Sequence, residues 1–302
     1  MMHDPSTEKF IDMESPELSH LALEAGDLVN QLLVQFNARQ TKLFDLPAHQ
    51  RIFLFILTRS IKTYSSIVLL CRHGYGQDVA TLLRGLLENL ITARYILHNP
   101  KNANHLAERF VAYKWIIFKR SLPEQEQDLK TAPKDKRDGF FKRKAITMRH
   151  VEEFKQKFNV TSDRTLLTWS GKTVRDMAKY VDARLLDEYD LTFRQCSKFS
   201  HPSILGDHEY LIQDNKNLVF SPLPSPIGVT VNLQQAVQYF LEFAKVGNEL
   251  FGLKKDSELV SLRSRYQSLI SLEKKPGSGA GHQPSIPMTP IRECTIVFKV
   301  LA

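Results

Sequence analysis

Apolar residues recur every three or four positions along most of this chain, which is the spacing that lines one face of an α-helix. Leu18, Leu21, Leu28, Leu32 and Phe36 set this pattern in the first such segment. Strands and helices do not alternate along the chain, so we expect an all-α, multi-helix bundle of roughly eight helices rather than a Rossmann or barrel fold. The apolar spacing, with Pro, Gly or capping residues at the segment ends, predicts helices at about residues 15–39, 45–73, 77–98, 102–117, 173–180, 183–199, 232–251 and 257–272.

Three segments depart from the helical pattern. Two short apolar runs within residues 210–220 flank a polar segment, which predicts a small β-hairpin insertion. Residues 1–14 are polar, and residues 273–302 are rich in Pro, Gly and Ser before a strand-like end. Both compositions are typical of flexible termini, so we expect one helical domain over residues 15–272.

The most hydrophobic stretch, residues 52–70, has the length of a membrane span. Arg59 and Lys62 lie at its centre, where each would cost about 2.5–3.5 kcal/mol inside a bilayer. The N-terminus also has no basic region followed by an apolar core, which argues against a secretory signal. We therefore predict a helix buried in a protein core, no membrane partner and a cytoplasmic location.

The positive charge of the chain is concentrated in one region. The 302 residues carry 41 Lys or Arg against 33 Asp or Glu, a net charge of +8. Residues 114–157 alone hold 13 Lys or Arg against seven Asp or Glu, a net of +6. Cations beside aromatic rings can bind single-stranded nucleic acid through phosphate contacts and base stacking, whereas a solvated, partly disordered loop is the alternative interpretation. The candidate nucleic-acid-binding residues, which lie close to Phe140 and Phe141, are Lys136, Arg137, Lys142, Arg143 and Lys144.

Residues that commonly bind metals or cofactors lack the necessary spacing. Cys71, Cys196 and Cys294 lie far apart in the sequence, which argues against a disulfide framework or a Cys-cluster zinc site. The histidines are scattered, and no Gly-rich phosphate loop of the Walker or dinucleotide type is present. We therefore expect no metal and no cofactor.

Arg84 and Glu88 stand four residues apart on a leucine-rich predicted helix, so both project from the same face. A charge pair is costly to bury unless it is well matched. One interpretation is an intrahelical ion pair that fixes the packing of the helix. The other is that one or both groups line a polar site between helices.

A second polar group lies near the end of the predicted helix 183–199. Arg194 and His201 are seven residues apart, so two helical turns bring them to one face, with Ser197 between them and Tyr189 on roughly the same side. A guanidinium can clamp a phosphate, and an imidazole with a pKa of about 6.5 can transfer protons. A phosphodiester-cleaving site needs these residue types, and a structural histidine at a helix end is the alternative.

The spacing of Arg194 and His201, with six residues between them, resembles the signature of the HEPN superfamily (higher eukaryotes and prokaryotes nucleotide-binding). The resemblance implies a helical homodimer and a metal-independent RNase of toxin or antiphage defence systems. In such a site Arg194 would hold the scissile phosphate and His201 would act as general acid or base. Ser197 or Tyr189 would orient the histidine.

Residues 80–97 and 169–203 together resemble a bacterial family of helical proteins known as domain of unknown function 5677. The resemblance extends over about residues 20–255 and implies a helical fold without an established activity. The positions that match the family pattern are Arg84, Glu88, Trp169, Tyr189, Ser197, His201 and Ser203.

Two functions are consistent with these patterns. The first is a bacterial cytoplasmic RNase of the HEPN type that gathers RNA on its basic segment. The second is a non-enzymatic interaction module, or a nucleotide- or RNA-binding module, in which Arg84, Glu88, Tyr189 and His201 form one buried polar network.

Overall fold

The structure, a computed structural model, describes residues 15–38, 43–161, 167–200, 211–214, 217–220 and 228–273. This part of the chain is mostly helical, which confirms the predicted all-α class. The predicted flexible N-terminus and nearly all of the predicted tail lie outside the described residues. The helices are α1 Pro16–Ala38, α2 Ala48–Arg72, α3 Val79–Leu97, α4 Ala103–Ala112, α5 Lys114–Asp128, α6 Lys134–Lys157, α7 Val174–Val181, α8 Ala183–Ser200, α9 Val229–Phe251 and α10 Asp256–Glu273, with a 3-10 turn at Leu43–Asp45.

Two four-residue strands lie between α8 and α9. Leu211–Asp214 (β1) pairs antiparallel with Asn217–Phe220 (β2). Residues 201–210 and 221–227, on either side, lie outside the described part of the chain. How this segment is inserted into the helical fold therefore stays a prediction.

The chain divides into two compact units. Unit 1 contains Met1–Gln40, Leu57–Leu90 and Asp190–Ala302, and unit 2 contains Thr41–Ile56 and Ile91–Tyr189. The single domain expected over residues 15–272 stays a prediction, and each unit is described by itself.

In unit 1, α1 packs against α9 and α10. The residues that set the apolar pattern of α1 are buried, from Leu18 to Phe36. Tyr64 of α2 lies in the same core: its hydroxyl donates to the carbonyl of Ala22 at 2.8 Å, and its ring stacks on Phe240 with centroids 3.9 Å apart. The hydroxyl has the partner that a buried polar group requires, and burial raises the pKa of Tyr64.

In unit 2, α5 packs against α6 around a core of aromatic and aliphatic side chains. The helix predicted over residues 102–117 is in fact two helices, because α4 ends at Ala112 and α5 begins at Lys114. Tyr113, at the junction, is buried and donates its hydroxyl to the carbonyl of Leu167 at 2.9 Å. The members of the core are Tyr113, Ile116, Val151, Phe154 and Phe158.

Among the described helices, only α2 is long and apolar enough to cross a membrane, with a mean hydropathy of 1.4 over its most apolar window. Within the part of α2 that belongs to unit 1, Tyr64, Ile67 and Cys71 are buried, whereas Arg59 and Lys62 lie on the exposed face. This division is typical of a core helix with one face in water. The expected absence of a membrane partner stays a prediction.

Candidate functional site

Helix α8 carries the predicted catalytic set and ends at Ser200, one residue beyond its expected end. Tyr189 is half-buried and Arg194 is exposed. The side chain of Ser197 and all of His201 lie outside the described residues. The grouping of these four residues therefore stays a prediction, although Arg194 is accessible to a ligand from solvent.

Cys196, which lies between Arg194 and Ser197, is a buried thiol. Burial raises its pKa to about 11, and a hydrogen bond with the backbone of Arg84, which favours the thiolate, only partly opposes this effect. A thiol with this pKa is protonated at neutral pH, and the thiol is a poor nucleophile. The structure therefore assigns Cys196 to the packing of unit 1.

Arg84 and Glu88 form the ion pair that their spacing indicates. The Nε atom of Arg84 lies 3.0 Å from Oε1 of Glu88, and its guanidinium carbon lies 4.3 Å from the centroid of the Phe193 ring on α8. The two charged side chains keep 31% and 34% of their surface exposed. The pair is thus half-buried rather than part of a fully buried network, and Arg84 connects α3 to α8.

Trp169, a matching position of the resemblance, anchors an irregular segment in unit 2. Its ring lies edge-on to Tyr95 at 5.8 Å and to Phe110 at 5.2 Å, and Tyr95 also meets Tyr180 at 5.4 Å. Edge-to-face pairs at these distances are stabilising. The role of Trp169 in these contacts is therefore to pack against α3 and α4. Burial raises the pKa of Tyr95.

The segment that follows Trp169 ends in the cap of α7. The hydroxyl of Thr173 accepts a hydrogen bond from the backbone N–H of Asp176 at 3.1 Å, and the Asp176 carboxylate accepts in return from the backbone N–H of Thr173 at 3.4 Å. These two reciprocal hydrogen bonds form a capping box. The hydrogen bond from the Thr173 hydroxyl lowers the pKa of Asp176.

The basic segment is helical over most of its length, and the helix distributes its cations around its axis. At 100° per residue, Lys136 and Arg143 lie within about 20° of each other, and Arg137 lies about 100° from Lys136 and about 120° from Arg143. Lys142 projects from a third direction, about 120° from Lys136. Lys136, Arg137, Lys142 and Arg143 are all exposed.

The fifth predicted cation of α6 has a different environment. Lys144 is half-buried, and its ammonium lies 2.6 Å from the carboxylate of Glu126 on α5. This ion pair ties α6 to α5. We therefore assign Lys144 to the packing of the two helices rather than to a free basic surface.

A cluster of rings between α5 and α6 was not predicted from the sequence. Trp115 stacks on His150 with centroids 4.2 Å apart, and Phe118 meets Trp115 edge-on at 5.7 Å. The ammonium of Lys114 lies 5.0 Å from the centroid of the Trp115 ring. The sequence shows that Trp115 and Phe118 lie three residues apart, but the stack of Trp115 on His150 depends on how α5 and α6 pack.

A surface cleft of about 530 Å³ lies between α1 and α10 in unit 1, lined in part by His20 and Arg265. The Glu24 carboxylate contacts both side chains, at 2.6 Å from the His20 Nδ1 and 3.1 Å from the Arg265 Nη2. The hydrogen bond from Arg265 lowers the pKa of Glu24. Because the acidic Glu17 lines the cleft together with the basic Arg265, its charges favour neither an anionic nor a cationic ligand.

The described residues contain no group of three or more His, Cys, Asp or Glu side chains that could hold a metal ion. In a comparison with protein-family models, residues 50–218 match a family of unknown function, DUF5677. Comparison with curated proteins and with solved structures finds no match.

Proposed function

Because this chain belongs to the DUF5677 family, a family of unknown function, we propose its function from its own residues: it binds RNA through helix α6. The observation that carries this proposal is the set of exposed cations on α6. Lys136, Arg137, Lys142 and Arg143 are exposed, and none forms an ion pair with another described residue. The net charge of +6 over residues 114–157 adds to their field.

The distribution of the cations favours a polyanion over a small anion. Small anions are commonly held by donors that converge on one point, whereas the cations of α6 point in three directions. Divergent cations can contact successive phosphates of a strand that bends along and around the helix. Such contacts release condensed counterions and are independent of base sequence.

The test of this proposal is an RNA-binding titration with matched variants. In Lys136→Ala/Arg143→Ala, two cations of one ridge of α6 are removed. The control, Arg59→Ala/Lys62→Ala, removes the same charge from the exposed face of α2. We expect the α6 variant to bind RNAs of unrelated sequence more weakly by a similar factor, and the control to bind like wild type. Equal affinities of all three proteins would refute the proposal.

We propose, as a second function, that the protein also cleaves RNA without a metal. The specific observation in its favour is the exposure of Arg194 on α8, since a guanidinium that clamps a scissile phosphate must be reachable from solvent. The 2′-hydroxyl loses its proton and attacks the adjacent phosphorus, and the 5′-oxygen leaves and takes a proton. The products are a 2′,3′-cyclic phosphate and a 5′-hydroxyl, and His201 transfers one of the two protons.

Cleavage is tested by incubation of labelled RNA with the purified protein in EDTA. Arg194→Ala and His201→Ala should both abolish the cyclic-phosphate product, while Arg194→Lys should retain part of it because the charge remains. The HEPN resemblance implies a homodimer, so light scattering on the same samples should report twice the mass of the 34.7 kDa chain. Cleavage at the same rate by wild type and both alanine variants would come from a contaminant and would refute this second function.

A further inference from the structure

The ring cluster between α5 and α6 is more exposed than its packing requires. Phe118 keeps 49% of its surface exposed, and the neighbouring Ile117 keeps 53%. Trp115 is half-buried and packs against the core of unit 2. Contiguous apolar surface that stays exposed often marks a site that binds a partner.

Two rings of the cluster are also held by contacts within the protein. The ring planes of Trp115 and His150 lie 19° from parallel, and the His150 Nδ1 lies 2.8 Å from the carboxylate of Glu153. Side chains that are already ordered lose little conformational entropy when a ligand binds. A preformed aromatic surface therefore favours a flat ligand that stacks.

Charge identifies the kind of ligand. The Lys114 ammonium lies over the Trp115 ring, and Arg149 of α6 is exposed, with its Glu153 contact stretched to 3.7 Å. Cations beside an aromatic surface match a ligand that carries both planar bases and phosphates. An apolar peptide or a lipid tail has no phosphate for these cations to contact.

We propose that the exposed ring of Phe118, held edge-on against the Trp115–His150 stack, is a base-stacking platform for single-stranded RNA. This inference rests on the proposed RNA-binding function and specifies the form of RNA that is bound. Bases in a duplex are stacked on each other and are not accessible to a flat protein ring, whereas unpaired bases are free to stack on aromatic side chains. Single-stranded RNA should therefore bind more tightly than a duplex of the same length.

The platform is tested by removing its most exposed ring. Loss of one base stack weakens single-strand binding by about 5- to 150-fold, so Phe118→Ala should show a loss in this range. Phe118→Leu should show a similar loss, because leucine is apolar but cannot stack. Phe55→Ala is the matched control, since Phe55 is a 59%-exposed phenylalanine on α2, outside the basic segment. It should bind within about twofold of wild type, by the usual small effect of a surface substitution.

A fluorescence readout reports the contact directly. The chain has 2 tryptophans, so Trp169→Phe leaves Trp115 as the one emitter. Single-stranded RNA should quench this emission, and Phe118→Ala in the same background should require a higher RNA concentration for the same quenching. Circular dichroism of each variant checks that the helices are retained.

The outcomes separate this inference from the function on which it rests. If wild type binds neither RNA form, the proposed RNA-binding function fails. If wild type binds RNA but Phe118→Ala binds equally well and the emission of Trp115 does not change, the platform is wrong and the cations alone account for binding. Full affinity in Phe118→Leu would also overturn the inference, because it would show apolar contact without stacking.

Discussion

Replacement of Arg84 by methionine should destabilise the protein without weakening its binding to RNA. Arg84 reaches Glu88 with its Nε at 3.0 Å and covers the Phe193 ring at 4.3 Å. Methionine keeps most of the apolar stem and removes the charge. The variant therefore isolates the ion pair and the cation–π contact from the packing of the stem.

The size of the effect follows from the exposure of the pair. About a third of each charged side chain is exposed, so solvent screening limits the i,i+4 ion pair to about 0.3–0.5 kcal/mol. A partly exposed guanidinium over a phenylalanine ring adds about 0.5–1 kcal/mol. We expect Arg84→Met to lower the free energy of unfolding by about 1 kcal/mol and Glu88→Gln to lower it by less than half of that.

Urea denaturation followed by circular dichroism measures these changes. A double-mutant cycle of Arg84→Met with Phe193→Leu should give a coupling of about 0.5–1 kcal/mol, because the two side chains are in contact. Arg194→Met, an exposed position on the same helix as Phe193, is the control and should change stability by less than about 0.5 kcal/mol. Unchanged stability of Arg84→Met together with a large loss of RNA affinity would refute the structural assignment and make Arg84 a ligand-binding residue.

Two further predictions concern stability. Burial raises the pKa of Cys71 to about 12, so the thiol of the unfolded chain, with a pKa of about 8.5, loses its proton first as pH rises. The stability from the protonated thiol is fully present below about pH 8 and should fall by about 1.4 kcal/mol per pH unit above about pH 9. Urea titrations between pH 7 and 10 should show a shallower fall for Cys71→Ala, and equal slopes in both proteins would contradict this reasoning. Thr173→Ala removes the hydroxyl that caps α7 at 3.1 Å and should cost about 0.5–2 kcal/mol, whereas Thr173→Ser should retain most of the stability; no difference between the two variants in urea midpoint would show that the cap contributes nothing.

Features that depend on residues close in sequence were predictable. The apolar stripe of α1 and the cap at Thr173 follow from helix periodicity and from the preference of hydroxyls for the N-cap. The Arg84–Glu88 pair is likewise an i,i+4 relation. Each of these features is present in the structure.

Features that depend on the packing of distant segments were not predictable. The contact of Arg84 with Phe193 joins two residues more than 100 positions apart, and the stack of Trp115 on His150 joins α5 to α6. Apolar spacing shows which face of a helix is buried but does not show which helix covers it. For the same reason, Lys144 was predicted to bind nucleic acid with the other four cations, whereas it is in fact paired with Glu126 on α5.

The salt dependence of RNA binding tests the central claim most directly. For a single strand, the slope of log K against log salt concentration changes by about 0.7 for each phosphate contact. Lys136→Ala/Arg143→Ala should therefore give a slope shallower than wild type by about 1.4, whereas Arg59→Ala/Lys62→Ala should give the wild-type slope. Identical slopes for all three proteins would contradict the assignment of α6 as the RNA-binding helix.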